Sequence, residues 1–140
     1  MNRERAIDIS LFLLRVTAGY MFLLNGSAKL LGFPAIAYFA NLETFSLIWF
    51  AGVIELVAGA FILLGVFTRQ AAFIASGEMA FAYFLGHGGD IGTILLPNIN
   101  QGQGAALFCF IFLFLSAYGA GKWSVEGWWK KRKMSSPQAI

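Results

Sequence analysis

The chain has 140 residues, which is the length of a single domain. Apolar residues make up 59% of it, charged residues 12%, and the mean hydropathy is +0.71. Soluble domains carry about 25% charged residues, so the composition excludes a typical water-soluble protein and predicts an integral membrane protein. The formal net charge is +3, but the basic residues gather at the chain ends and in one loop. Such a distribution indicates the orientation of the chain in a membrane, and it excludes a continuous basic surface for binding nucleic acid.

The apolar residues are arranged in long runs. Lipid accepts only backbone whose polar groups are satisfied internally, and these runs do not alternate as the strands of a membrane barrel would. We therefore predict an all-α fold, an integral membrane four-helix transmembrane bundle that forms a single domain over residues 1–140. The predicted spans cover residues 9–31, 47–67, 71–87 and 104–121, and a basic tail follows at 122–140.

The lysines and arginines predict the orientation of the bundle. With four spans, both termini and the turn at Arg69 lie on one side, which holds eight basic residues against Lys29 alone on the other. Because cytoplasmic loops are rich in Lys and Arg, we predict a multi-pass protein of the inner (cytoplasmic) membrane with both termini in the cytoplasm. Trp123, Trp128 and Trp129 beside the basic tail predict an aromatic belt at the lipid headgroups.

Besides Lys29 near the outer end of the first span, three charged side chains lie deep inside the predicted spans, where each costs about 2.5–3.5 kcal/mol at the centre of a helix. They are Arg15, Glu55 and Glu78, and we predict them as catalytic residues, with Glu55 as a proton carrier or a polar ligand contact. Small residues flank both glutamates at helical spacing, which indicates that the carboxylates point into the bundle. Counted from Arg69 at about 1.5 Å per residue, Glu55 lies about 20 Å and Glu78 about 14 Å into the membrane. Arg15 could instead form a structural salt bridge with Glu78, which would leave Glu55 without a cation.

A second predicted group of polar residues lies towards the outer end of the bundle and supplies contacts for a polar ligand. Its members are Asn25, Lys29, His87, Asn100 and Gln103. No metal site is predicted, because one histidine and one cysteine cannot build a zinc site or a bis-histidine haem site. No Glu-x-x-His pair is present, which argues against a di-iron carboxylate bundle.

The same residues resemble the DoxX family of small bacterial and archaeal membrane proteins. The similar segments are LLRVTAGYMFLLNGSAKLLGF, IELVAGAFILLGVFTR and YGAGKWSVE, and the resemblance covers about residues 9–126. The family often has a glutamate where Gln103 stands and a proline where Ala120 stands. The resemblance implies a four-helix membrane bundle. Some relatives are membrane subunits of quinone-linked thiosulfate oxidation or of complexes that handle oxidative stress.

The first functional hypothesis is a membrane subunit of a quinone-linked oxidoreductase or oxidative-stress complex. Glu55 would exchange protons, and Asn25, Lys29 or His87 would hydrogen-bond a quinone. A soluble redox partner protein would bring the electrons, because the sequence contains no site for an electron-carrying cofactor.

Two alternatives come from other classes, a small proton-coupled carrier and a non-catalytic scaffold that holds a soluble enzyme through the basic tail. The sequence leaves open whether the protein is catalytic at all and whether it forms a homo-oligomer within the bilayer. It also leaves open whether Arg15 pairs with Glu78 or with Glu55.

The charge count makes a prediction about topology. Reporter proteins fused after Arg69 and at the C-terminal end of the chain should both be found in the cytoplasm, and a fusion near residue 90 outside it. Alkaline phosphatase and a cytoplasm-active fluorescent protein report the two sides. A C-terminal fusion on the outer side would contradict the even number of spans.

Overall fold

The computed structural model describes residues 2–89 and 91–135, which form five α-helices and no strand. The helices are α1 (Arg3–Leu31), α2 (Leu47–Leu64), α3 (Thr68–Phe81), α4 (Gln103–Tyr118) and α5 (Val125–Ser135). A 3-10 turn at Ala37–Phe39 lies between α1 and α2, and a π-helical segment at Ala82–His87 continues α3. The predicted all-α class is confirmed. The last part of the predicted tail, 136–140, and the fusion point at residue 90 lie outside the described residues.

Two of the helices, α1 and α2, are long and apolar enough to cross a membrane. Helix α4 is apolar but has 16 residues. Helix α3 has 14 residues, and its π-helical continuation adds 6. The structure thus supports a membrane protein, and four complete spans remain a prediction.

The helix ends follow from local capping. Helix α1 begins at Arg3, earlier than the predicted 9, because the side chain of Asn2 accepts a hydrogen bond from the Arg5 amide at 3.0 Å. Helix α2 stops at Leu64, before the predicted 67. Gly65 adopts a left-handed conformation with φ of 72° there, and its N–H bonds back to the last turn. The region predicted as a tail contains α5.

Helices α1 and α2 run antiparallel and their backbones approach closely at glycines. A Cβ atom on Gly19 would lie 2.6 Å from the Leu63 nitrogen, and one on Gly59 would lie 2.5 Å from the Leu23 nitrogen. A Cβ on Gly26 would overlap the backbone of α2 as well. Small residues at such crossings allow membrane helices to gain van der Waals contact along their whole length. The glycines therefore fix which residues of α1 face which residues of α2.

Helices α3 and α4 form the second closely packed pair. Ala72 and Ala75 of α3 are fully buried against α4, and the hydroxyl of Ser76 donates a hydrogen bond to the Cys109 carbonyl at 2.8 Å. The two pairs meet where α2 packs against α3, and Phe22 of α1 also packs edge-on against Phe112 of α4, with ring centroids 4.6 Å apart. This contact closes the bundle around its apolar centre.

The glycine contacts predict a large effect of a single methyl group. Gly26→Ala should lower the stability of the protein by about 1–3 kcal/mol, because the methyl group must push the two backbones apart. The matched control is Gly77→Ala, where the added Cβ meets no atom within 4 Å. It should leave stability equal or raise it by up to about 1 kcal/mol through helix propensity. Thermal unfolding in detergent measures both, and equal melting temperatures would contradict the packing described here.

Candidate functional site

A buried ion pair joins α1 and α2 at the end of the bundle away from the basic tail. Nζ of Lys29 lies 2.6 Å from Oε2 of Glu55, and the Glu55 side chain is only 2% exposed. The stem of Lys29 passes Gly52, where a Cβ would lie 2.9 Å from the Lys29 Cβ. The absence of a side chain at Gly52 thus leaves room for the lysine to reach the carboxylate.

The expectation that Glu55 lacks a cation is therefore wrong. Antiparallel packing sets Lys29 at the level of Glu55, whereas the sequence suggested a lysine at the mouth of the span. The pair also explains how α2 carries a charge within its apolar run. A buried carboxylate with a cation and a hydrogen bond is far less costly than one left alone.

Glu78 of α3 adds a second carboxylate to this pair. Its side chain is half-buried, its Oε2 atom is buried without a hydrogen-bond partner, and it interacts electrostatically with both Glu55 and Lys29. The Lys29 cluster, as we call Lys29, Glu55 and Glu78, thus contains two carboxylates and one cation. With both carboxylates ionised, the cluster has a net charge of −1. Binding of one proton by a carboxylate makes it neutral, which is favoured in surroundings of low dielectric constant. Such a charge set can take up and release a proton. The described residues contain no group of His, Cys, Asp or Glu placed to hold a metal ion.

Arg15 forms no ion pair with either glutamate, so the predicted Arg15–Glu78 bridge is wrong. Its guanidinium donates to the carbonyls of Ile62 and Leu63 at the end of α2, and to the Trp123 carbonyl at 2.7 Å. The last carbonyls of a helix lack partners within the helix, and a cation there also interacts favourably with the helix dipole. Arg15 is 1% exposed. It fastens α1, α2 and the chain after α4 together, and its predicted catalytic role stays a prediction.

The predicted ligand contacts other than Lys29 do not converge on the cluster. Asn25 is exposed on the outer face of α1, and Gln103 is exposed at the start of α4. The Asn100 amide donates to the Thr93 carbonyl at 3.1 Å, and its oxygen accepts from the Gly102 N–H at 2.8 Å. Asn100 therefore holds the loop before α4 in shape.

The remaining predicted residue, His87, ends the π-helical segment and contacts the loop before α4. Its Nδ1 lies 3.0 Å from the Asn100 carbonyl oxygen. Tyr83 completes this network, since its hydroxyl donates to the Ile94 carbonyl and accepts from the Asn100 amide at 3.3 Å. The side chains of His87, Tyr83 and Asn100 thus bond to loop backbone, and the latter two also bond to each other; the role of His87 and Asn100 as ligand contacts stays a prediction.

A groove of about 640 Å³ opens beside Lys29, between the end of α1 and the segment that leads to α2. Its walls are mainly apolar and include Leu30, Ile36, Phe39 and Leu42. The Lys29 ammonium lies 5.5 Å from the centre of the Phe39 ring. Phe39 is not identifiable from the sequence as a site residue, because nothing in the order of residues shows that this segment folds back over α1.

The Lys29 cluster predicts a pattern of stability. Lys29→Met should cost about 3–5 kcal/mol, because it leaves two neighbouring carboxylates without a cation. Glu55→Gln should cost less, since Glu78 remains near the lysine, and the double variant Lys29→Met/Glu55→Gln should recover most of the loss. The control Glu78→Gln should be as stable as the wild type or more stable, because it removes the repulsion from Glu55. Unfolding in detergent measures all four; additive losses in the double variant would show that Lys29 and Glu55 do not interact.

Comparisons with known proteins place the chain in a family. The family model described as DoxX matches residues 10–88. A protein of Haemophilus influenzae, described only as uncharacterized, is 40% identical over 126 residues, which are 89% of this chain and 94% of the relative. No solved structure matches the chain. The family match spans more than half of the sequence and the relative is similar over almost its whole length, so this chain belongs to the DoxX family of membrane proteins.

Proposed function

We propose that this protein is a membrane subunit of a quinone-linked oxidoreductase, in which the Lys29 cluster exchanges protons with a quinone-like molecule. The observation that carries the proposal is the buried excess of one carboxylate over cations, with Oε2 of Glu78 lacking a hydrogen-bond partner. Ionisable groups inside membrane bundles are expensive and typically mark proton or substrate pathways. A purely structural ion pair would need only Lys29 and Glu55.

The shape and lining of the groove beside Lys29 fit a flat, mostly apolar ligand with carbonyl oxygens. Its volume of about 640 Å³ lies within the usual range of small-molecule sites. The Lys29 ammonium carries three N–H donors and gives one to Glu55, so the others can bind a carbonyl oxygen. Phe39 offers a ring for stacking at the same point.

The chemistry of a quinone fits the charges of the cluster. Reduction of a quinone to a quinol takes up two electrons and two protons. Glu78 and Glu55 would relay one proton to the quinone oxygen held by Lys29, and the second oxygen would take its proton from water at the open side of the groove. A redox partner protein would deliver the two electrons. The proposal includes four spans in the inner membrane with both termini in the cytoplasm, supported by the eight basic residues at one end.

Binding is tested by the quinone content of the purified protein. The wild-type protein, extracted from bacterial membranes, should carry quinone that is detected by solvent extraction and mass spectrometry. Phe39→Ala should reduce the bound quinone about tenfold, because it removes the aromatic wall of the groove. The control Phe45→Ala, an equal change at an exposed ring that does not line the groove, should have no effect. Equal losses in the two variants would contradict a site at this groove.

Proton exchange is tested separately with Glu78→Gln. This variant should keep its quinone, because Lys29 and Phe39 are unchanged, but quinol formation in membrane vesicles with the cell's own electron donors should fall at least about tenfold. Retention of full activity would exclude Glu78 as a proton carrier. A protein without quinone that drives solute uptake into liposomes under a proton gradient would instead be a carrier.

A further inference from the structure

A second groove, of about 690 Å³, lies at the opposite, basic end of the bundle. It separates α5 from the ends of α1, α3 and α4. Its walls include four cations and two side chains with large apolar surface, namely Arg69, Tyr118, Lys122, Lys130, Lys131 and Met134. We call it the tail groove. It takes no part in the function proposed above.

The tail groove has an excess of positive charge. Four cations and two carboxylates, Asp8 and Glu126, line it, which leaves a net charge of +2. Asp8 pairs with Lys122 at 2.9 Å and raises the pKa of that lysine. Glu126 accepts a hydrogen bond from the Thr68 amide at 2.9 Å and so caps α3. Both carboxylates are thus engaged within the fold.

The other three cations have no carboxylate partner among the described residues. Arg69 donates to the Tyr118 carbonyl at 3.3 Å, and neither Lys130 nor Lys131 forms a salt bridge. Arg69 belongs to α3 and the two lysines to α5, so the fold brings these charges together from distant parts of the chain. An anion between them would gain charge-assisted hydrogen bonds from two elements at once.

The walls of the groove are held in place before any ligand arrives. The Glu126 amide donates to the Gly65 carbonyl at 3.1 Å, which ties the start of α5 to the turn between α2 and α3. The buried guanidinium of Arg15 holds the Trp123 carbonyl in the same region. A ligand at this site therefore need not order the chain, and such preorganisation favours binding.

The surroundings of the groove match a lipid surface better than a soluble ligand. Trp128 and Trp129 are 53% and 46% exposed on α5, and the guanidinium of Arg132 lies 4.6 Å from the centre of the Trp128 ring. Exposed tryptophans beside lysines and arginines are characteristic of the headgroup region of a bilayer. Tyr118 and Met134 give the groove apolar surface for the start of an acyl chain.

We propose that the tail groove binds the phosphate-bearing headgroup of an anionic phospholipid, with Arg69, Lys130 and Lys131 contacting the phosphate. Lys122 stays with Asp8 and shapes the wall. An acidic segment of a soluble protein would also match the charge, but it would not use the tryptophans at bilayer depth. The lipid headgroup is therefore the ligand that fits both the charge and the aromatic surroundings.

The test uses the full chain purified in detergent and follows tryptophan fluorescence, since Trp123 lines the groove. Short-chain phosphatidylglycerol should bind at least about tenfold more tightly than phosphatidylcholine of the same chain length. Inorganic phosphate at millimolar concentration should not displace it. Equal affinities for the two lipids would overturn the proposal, and displacement by inorganic phosphate would assign the groove to a soluble anion.

Matched variants distinguish lipid binding in the tail groove from non-specific attraction of an anionic lipid by the net positive charge. Lys130→Gln/Lys131→Gln should weaken phosphatidylglycerol binding about tenfold or more, and Arg69→Gln should weaken it from the other wall. The control Arg3→Gln/Arg5→Gln removes the same charge from exposed positions of α1 that do not line the groove, and it should change the affinity less than threefold. Equal losses in the two double variants would overturn the proposal, because they would indicate attraction by net charge alone.

Discussion

The close approach of α1 and α2 at their glycines is the constraint on which the rest of the structure depends. Gly19, Gly26 and Gly59 leave no room for even a methyl group between the two backbones. This contact fixes the register of the pair along its whole length. At one end it brings Lys29 to Glu55, and at the other it brings Arg15 to the last carbonyls of α2. A change in register would separate both cations from their acceptors within apolar surroundings, where no water could replace them.

The two buried cations, Arg15 and Lys29, bind different kinds of acceptor. Arg15 forms no salt bridge with the described carboxylates, and it satisfies backbone carbonyls of α2 and of the chain after α4 with its planar fork of donors. Lys29 is a compact charge at the end of a flexible stem, and it meets a carboxylate beside a groove. A lysine at position 15 would lack the planar set of donors, and an arginine at position 29 would replace the compact ammonium by a larger group. The different chemistry explains why the structural site is closed and the candidate functional site is open on one side.

The Lys29 cluster joins stability to function. Lys29 and Glu55 would suffice as an ion pair between α1 and α2, yet Glu78 of α3 interacts electrostatically with both and has a buried oxygen without a hydrogen-bond partner. An unsatisfied buried carboxylate is a cost to folding, and sites that retain such a cost commonly use it. The DoxX family match and the uncharacterized relative establish what kind of protein this is. The chemistry proposed here rests on the cluster itself.

The sequence by itself determined the class of protein, the approximate helices and the inward direction of both glutamates, because hydropathy, helical spacing and small residues are local properties of the chain. It could not assign the partners of the charges. Arg15 was expected to pair with Glu78 or Glu55, and Asn25 was expected inside the bundle, but Arg15 binds carbonyls and Asn25 is exposed. Phe39 and the tail groove also escaped notice, since they arise from segments far apart in sequence. Only the tertiary structure decided these points. Pairing inside a bundle depends on the rotation and register of helices to within one residue, and both are set by contacts between segments that the order of residues does not place together.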